Sequence, residues 1–369
     1  MKLLLVSGSY PPLRCGVGDY CSRLARSLAA TGKIDVAVLT SEGAQESGPS
    51  VTLFPLMRFW KLSEWRRVLA AIRSWSPDIV HIQYPTQGYR SPFLPSMTPL
   101  LSTVAGRAVV RTWHEVHALR GAPFFFLEAL PPGPIVAVRP QLYDQLPRLF
   151  QATLNPQRVR FIPNASSIPK QDLSTSERAR IRTLYLRGQQ RLILFFGFVY
   201  PFKGVEQIFE IANPATDHLM IAGEEGGDEE YVARLRSLAD AAPWTGKVTF
   251  TGFLSADESG RLIAASDAVV LPFRHGAGVW NSSIHAAVLQ GTPVITTTDD
   301  NPHFDAARHV HFAAVDDIAA MRDALDRLAG HRRPYSPLVD VDEWEMIARQ
   351  HLELYGELLG RGFPGGVAS

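Results

Sequence analysis

Lys2-Leu3-Leu4-Leu5-Val6, then Ser7-Gly8-Ser9-Tyr10-Pro11-Pro12-Leu13-Arg14-Cys15, then Gly16-Val17-Gly18-Asp19-Tyr20, is the stretch from which the whole chain can be read. A short apolar run, a glycine- and proline-bearing loop and an amphipathic stretch are, in order, strand, turn and helix. The apolar run is too short for a signal-peptide core of about 7–15 residues or a membrane span of about 20, so a buried first strand is expected.

Working outward, short apolar runs keep alternating with amphipathic stretches, the signature of βαβ units and a parallel sheet. Expected strands in the first half are Lys2–Val6, Asp35–Leu39, Asp78–Ile82, Ala108–Thr112, Ile135–Val138 and Val159–Ile162, with helices at Gly18–Ala30, Leu62–Trp75 and Pro140–Gln151. The turn-rich segment Pro163 to Lys170 interrupts the pattern, which restarts with a helix near Ser176–Arg187 and the strand Arg191–Phe196. Strands at Leu219–Ala222, Val248–Thr251, Ala268–Leu271 and Val294–Thr297 follow, separated by helices at Lys203–Ala212, Glu229–Ala241, Ala256–Ala265 and Trp280–Gln290. Helices at Asp316–Ala329 and Val341–Leu359 end the pattern, and the last must bury Trp344, Ile347, Ala348, His351, Leu352 and Tyr355. The expected division is an α/β domain over 1–165, a second doubly wound α/β domain over 166–340 and a terminal helix over 341–369.

Composition narrows the function classes. At roughly 150 residues per domain, 369 residues make two domains, and 46% apolar residues supply two cores. Lys plus Arg number 37 against 36 Asp plus Glu, so no long-range field draws the molecule to nucleic acid. Cys15 and Cys21 make neither a disulfide scaffold nor a metal site, and a reducing, cytoplasmic setting is expected.

Chemistry in open α/β sheets gathers at the carboxyl ends of the strands, and a cleft between two such domains is the expected place for it. Gly16 and Gly18 sit where a helix start can offer N–H groups to a diphosphate, although the loop is too long and one glycine short for a dinucleotide fingerprint. Asp19 follows them. Beyond the strand ending at Thr112, His114 and Glu115 face the expected cleft, and His114 can bond a sugar hydroxyl or a substrate carbonyl without a metal. In the second domain Gly197 closes a strand, and Lys203 is expected at a helix start, a cation beside the dipole. Phe253 and Leu254 end another strand, and Asn281, Ser282 and Ser283 are caps whose N–H groups can cradle phosphate. Each has an ordinary structural reading as well, as turn glycine, core histidine or solvated lysine.

In this order the pieces resemble the retaining nucleotide-sugar glycosyltransferases of family four. The matching residues are Gly16-Val17-Gly18, His114, Ile162-Pro163-Asn164, Gly197, Lys203-Gly204, Ile221-Ala222-Gly223, Val248 to Phe253, Ser266-Asp267-Ala268 through Leu271-Pro272, and Gly291 to Ile295. The resemblance implies a GT-B architecture of two facing Rossmann-like domains with a carboxy-terminal crossover helix. It also implies a nucleotide-sugar donor as substrate, bound by the second domain, no cofactor and no required metal. Lys203 and His114 would be catalytic, Gly16, Gly18, Gly197, Phe253, Leu254, Asn281, Ser282 and Ser283 would hold donor and phosphate, and Asp19 and Glu115 would lie on the acceptor side. The chain departs from the family pattern at Phe198, where an arginine is usual, and at Gly278 and Ala286, where alignment on Gly291-Thr292-Pro293 places the usual pair of glutamates.

Three functions compete on this evidence. A retaining transferase would pass a hexosyl or related sugar to a sugar, lipid-linked or small-molecule acceptor. A non-catalytic sugar-nucleotide-binding protein would explain the missing glutamates, and a GT-B epimerase would want cleft carboxylates that the sequence does not supply. Met57-Arg58-Phe59-Trp60-Lys61-Leu62-Ser63-Glu64-Trp65-Arg66-Arg67 mixes aromatic and basic residues, and reads either as helix packing or as a peripheral membrane contact.

Overall fold

The computed structural model describes residues 1–46, 48, 50–115, 125–140, 142–226, 228–298, 309–333 and 342–360. Val116 and His117, which follow Glu115 in the chain, lie outside them. The chain divides into two compact units, residues 1–164 with 339–369, and residues 165–338.

The first unit is built on β1 (Lys2–Val6), β2 (Asp35–Ser41), β3 (Val51–Met57), β4 (Ile79–Tyr84), β5 (Ala108–Trp113), β6 (Ile135–Ala137) and β7 (Val159–Phe161). Their order across the sheet is β3-β2-β1-β4-β5-β6-β7, and every pair is parallel. Leu3, Leu4, Leu5 and Val6 are fully buried, because a parallel sheet covered on both faces needs apolar residues all along its central strands. β3 escaped the sequence reading since Pro55 interrupts it, and a proline is tolerated there because β3 is an edge strand. The helix Phe93–Val104, rich in proline, was missed for the same reason. The expected helix over Pro140–Gln151 is corrected to Arg148–Thr153, since Pro147 has no N–H to give to a longer one.

The helix Glu343–Leu358 buries the expected face, Trp344 through Tyr355, against the helix Gly16–Ala30, where the Trp344 and Tyr20 rings meet edge-on at 5.3 Å. Asp342 caps it, accepting from the Trp344 N–H at 2.8 Å.

The second unit contains β8 (Arg191–Phe196), β9 (Asp217–Ala222), β10 (Val248–Gly252), β11 (Ala268–Leu271), β12 (Val294–Thr297) and β13 (Val310–Ala313), in the order β10-β9-β8-β11-β12-β13. It too is wholly parallel. Chain order reverses between β1 and β4 in one sheet and between β8 and β11 in the other, so ligand crevices belong at those carboxyl ends. Among the described residues no helix is long and apolar enough to cross a membrane.

Candidate functional site

Each unit presents its predicted residues at the carboxyl edge of its own sheet. In the first unit the loop after β1 is packed hard against its neighbours. Gly8 is obligatory, because a Cβ there would meet Thr86 Oγ1 and the Tyr89 ring at 2.4 Å. The Gly88 N–H donates to Ser9 Oγ at 2.8 Å, and Ser41 Oγ donates to the Gly8 carbonyl at 2.6 Å. Gly16 opens the helix Gly16–Ala30 and lies in its first turn, not in the preceding loop as expected; no side chain caps that turn. A Cβ on Gly18 would come within 3.0 Å of Ser9, whereas a Cβ on Gly16 would meet nothing within 4 Å. The turn therefore offers an uncapped dipole end with open space beside Gly16. Asp19, partly buried in the same turn, has its carboxyl pushed up to about 6 by burial, against the opposing pull of Arg23.

His114 directly follows β5, at the carboxyl edge as expected. Its N–H donates to the Tyr84 carbonyl at 2.9 Å, and the Tyr20 ring meets the imidazole edge-on at 4.8 Å. Only 8% of it is exposed, and burial drives its pKa down to about 3, so the ring is neutral. Nε2 lies 2.9 Å from Gln83 Oε1. Glu115, next along, is exposed and its charge acts on Arg139.

In the second unit three strands end on glycines. The Gly197 N–H donates to the Ala222 carbonyl and the Gly223 N–H to that of Gly252, both at 3.0 Å. A Cβ on Gly223 would fall 1.9 Å from the Gly197 carbonyl oxygen, so bare backbone forms this edge. Phe253 follows Gly252 and is 47% exposed, while Leu254 is half-buried against the core.

Lys203 does not begin a helix. It closes the 3-10 turn Pro201–Lys203, Gly204 then turns left-handed at φ 64, and the first α-helical residues come at Ile208–Ile211. Gly204 is required because a Cβ would meet the Pro272 carbonyl oxygen at 2.2 Å. A 3-10 turn over Val205–Gln207 leads into the helix Ile208–Ile211, so Lys203 stands ahead of the helical run and not at its first residue. Its ammonium instead stands 4.2 Å from the centroid of the Phe273 ring and 5.3 Å from that of Phe202. Phe198, where an arginine was expected, starts a stack with Tyr200 at 6.1 Å, and Tyr200 stacks on Phe202 at 5.4 Å. Sequence reading missed Arg274, whose N–H donates to the Phe202 carbonyl at 3.1 Å and whose guanidinium pairs with Glu206 and Asp316. No local motif signals it, since Glu206 and Asp316 lie far from it in sequence.

The helix Ser282–Leu289 starts two residues after the expected Trp280, and Asn281 does not cap it with its side chain. Asn281 Oδ1 instead accepts the Gly278 N–H at 3.0 Å, which leaves the turn at Ser282 and Ser283 without a side-chain cap. The Trp280 ring fills the space into which a side chain at Gly278 would point, with ring atoms 2.2 Å from an ideal Cβ. Ala286 is fully buried in the core. Neither position that the resemblance assigns to a glutamate has room for one as packed. Among the described residues no group of three or more His, Cys, Asp or Glu is placed to hold a metal ion.

Residues 15–165 match the Glycosyl transferase 4-like domain, and residues 177–329 match Glycosyl transferases group 1. An α-D-kanosaminyltransferase from Streptomyces kanamyceticus is 28% identical over 174 residues, which span 45% of this chain and 40% of that enzyme. The sucrose-phosphate synthase of Thermosynechococcus elongatus has a similar structure, with a TM-score of 0.72 at 16% identity, covering 98% of this chain and 99% of the other. Anabaena HepE, solved with UDP and glucose, reaches 0.67 at 15% identity over 98% of this chain and 96% of its own. With two parallel α/β units and both halves matched, the chain belongs to the family-4-like glycosyltransferases of GT-B fold.

Proposed function

We propose that this protein transfers a sugar from a nucleotide-sugar donor to a hydroxyl acceptor, with retention of anomeric configuration and no required metal. The observation that carries the reading is the carboxyl edge of the second sheet. There Gly197, Gly223 and Gly252 bare the backbone, Lys203 supplies a cation and the Ser282–Leu289 helix begins without a side-chain cap. Such an edge suits the diphosphate of an activated sugar. HepE, the neighbour solved with UDP and glucose, supports a nucleotide-sugar donor.

In the proposed step the acceptor oxygen attacks the anomeric carbon on the face from which the diphosphate departs. The C–O bond to the diphosphate breaks, its electron pair stays on the phosphate oxygen, and that oxygen takes the acceptor proton. The chain contributes positioning and charge stabilisation. Lys203 and the turn at Asn281, Ser282 and Ser283 stabilise the leaving group. Gly16 and Gly18 offer a second uncapped helix start to an anion, His114 contacts the donor sugar, and Asp19 and Glu115 line the acceptor side.

For the acceptor, the segment after β3 supports a lipid-linked sugar at an anionic membrane surface. Phe59 and Trp65 are 39% and 38% exposed, and Arg58, Lys61 and Arg90 stand 5.4, 5.5 and 5.9 Å from the Phe59 ring centroid. A cytoplasmic, peripherally attached enzyme fits that surface.

A second reading, binding without turnover, draws on Gly278 and Ala286, whose surroundings hold no glutamate. Thermal shift with a panel of UDP-, GDP-, ADP- and dTDP-sugars, followed by mass spectrometry of donor hydrolysis, separates the two. A shift with hydrolysis supports the transferase, a shift without it supports the binder, and no shift with any donor defeats both.

A further inference from the structure

A chain of buried polar side chains in the first unit runs from the terminal helix to His114. His81 Nδ1 lies 2.6 Å from Tyr355 Oη, and its Nε2 lies 2.7 Å from Thr112 Oγ1 and 3.3 Å from Gln83 Nε2. Gln83 Oε1 in turn lies 2.9 Å from His114 Nε2. The parallel pairing of β4 with β5 builds this arrangement, since Gln83 stands beside Thr112 in the register and His114 is two residues further along. His81, Gln83 and Thr112 are fully buried.

Hydrogen-bond direction along the chain follows from the atoms. An amide oxygen can only accept, so His114 Nε2 must carry the proton facing Gln83. The Gln83 amide N–H can only donate, so His81 Nε2 is an acceptor, shared with the Thr112 hydroxyl. His81 then keeps its proton on Nδ1 and donates it to Tyr355. Both imidazoles are neutral: burial holds His81 well below the ordinary histidine value and His114 at about 3. Each ring therefore has one proton to place.

We propose that Gln83 is a positioning residue that locks His114 in its Nε2–H tautomer, leaving Nδ1 as a fixed acceptor that selects a substrate group able to donate a hydrogen bond. Among the described residues Nδ1 of His114 has no hydrogen-bond partner. This rests on the donor-sugar contact proposed for His114 above and specifies what that contact reads. A hydroxyl or amine satisfies Nδ1, whereas the deoxy or O-methyl counterpart leaves it unpaired. Sites built this way discriminate more sharply than apolar pockets.

The tautomer can be read without substrate. Long-range proton–nitrogen correlation spectra of histidine-labelled full-length protein distinguish the two neutral forms, with His114→Gln supplying the assignment. The wild type should show His114 as Nε2–H, Gln83→Leu should convert it to a mixture, and Gln83→Glu, which retains an accepting oxygen, should restore Nε2–H. An Nδ1–H signal in the wild type, or a Gln83→Leu spectrum like that of the wild type, overturns the proposal. Once a donor and acceptor pair is in hand, Gln83→Leu should lower kcat/KM by about 10- to 100-fold, the range typical of groups that orient a functional histidine. The same variant should lose most of its preference for the hydroxyl-bearing over the deoxy donor sugar. An unchanged preference alongside a mixed tautomer overturns the selecting role. Absence of turnover in the wild type counts against the transferase reading alone, because the spectra decide the tautomer independently.

Discussion

The Trp280 indole lies over Gly278, with ring atoms 2.2 and 2.4 Å from where a Cβ would sit. Restoring the glutamate of the family pattern must therefore displace the ring. Gly278→Glu should lose about 1–3 kcal/mol, the usual cost of overpacking. Adding Trp280→Ala should return most of it, so that urea denaturation of the four-member cycle gives a coupling of about 1 kcal/mol or more. Additive single effects would show that the two positions do not share that space.

Gly223 combines φ 153 with an ideal Cβ only 1.9 Å from the Gly197 carbonyl oxygen. Gly223→Ala should cost about 2–4 kcal/mol, from backbone strain and the clash together. Gly16→Ala is the control, since nothing lies within 4 Å of its Cβ, and it should change stability by no more than about 0.5 kcal/mol. Equal midpoints for the two variants in chemical denaturation would contradict the crowded edge.

Lys203→Ala should reduce turnover by about 100-fold or more if its ammonium steadies the leaving diphosphate. Lys203→Arg, which keeps the cation, should fall less. Arg274 cannot substitute, because Glu206 and Asp316 already take up its charge. Turnover near the wild-type level in Lys203→Ala would remove this residue from the site.

If Phe59 and the cations around it meet a membrane, the protein should float with vesicles containing about one third phosphatidylserine and not with pure phosphatidylcholine. Binding should weaken as salt rises, since exposed charges are screened within about 10 Å at 0.1 M. Phe59→Ser together with Lys61→Glu should abolish flotation while leaving the melting temperature unchanged. Protein found wholly in the soluble fraction with anionic vesicles would sink the membrane contact.

His351 is fully buried, donates Nδ1–H to the Ile347 carbonyl at 2.8 Å, and has its pKa pushed down to about 4 by burial. The unfolded chain holds a proton there up to about pH 6.5, where the folded chain does not. Stability is therefore complete above that pH and declines as pH falls toward 4, by up to about 1.4 kcal/mol per unit from this residue. His351→Leu should flatten the acid limb by up to one proton, read from urea midpoints between pH 4.5 and 7.5. An unaltered slope would mean that His351 is charged in the folded protein.

Much of the fold was legible because its signals are local. Arg191–Phe196, Ala268–Leu271 and Val294–Thr297 are continuous apolar runs bounded by turn residues, and they form strands over those bounds. Legibility failed where proline sat inside an element, as at Pro55 in β3 and Pro99 in the helix Phe93–Val104, because an edge position or a helix packed on the sheet tolerates what propensity forbids. It failed again around Lys203, where the close approach of Gly204 to Pro272, 68 positions away, replaces the expected helix start with a tight turn.

From the order of apolar runs and glycines come two parallel sheets and the edges on which Gly16, His114, Gly197 and Lys203 stand. That order could not say which atoms those residues would bind. Asn281 turns back to Gly278 instead of capping its helix, and Gln83 joins His81 to His114 across adjacent strands. Such pairings are fixed by strand register and by competition for buried hydrogen bonds among groups far apart in the chain, and neither quantity exists until the chain has folded.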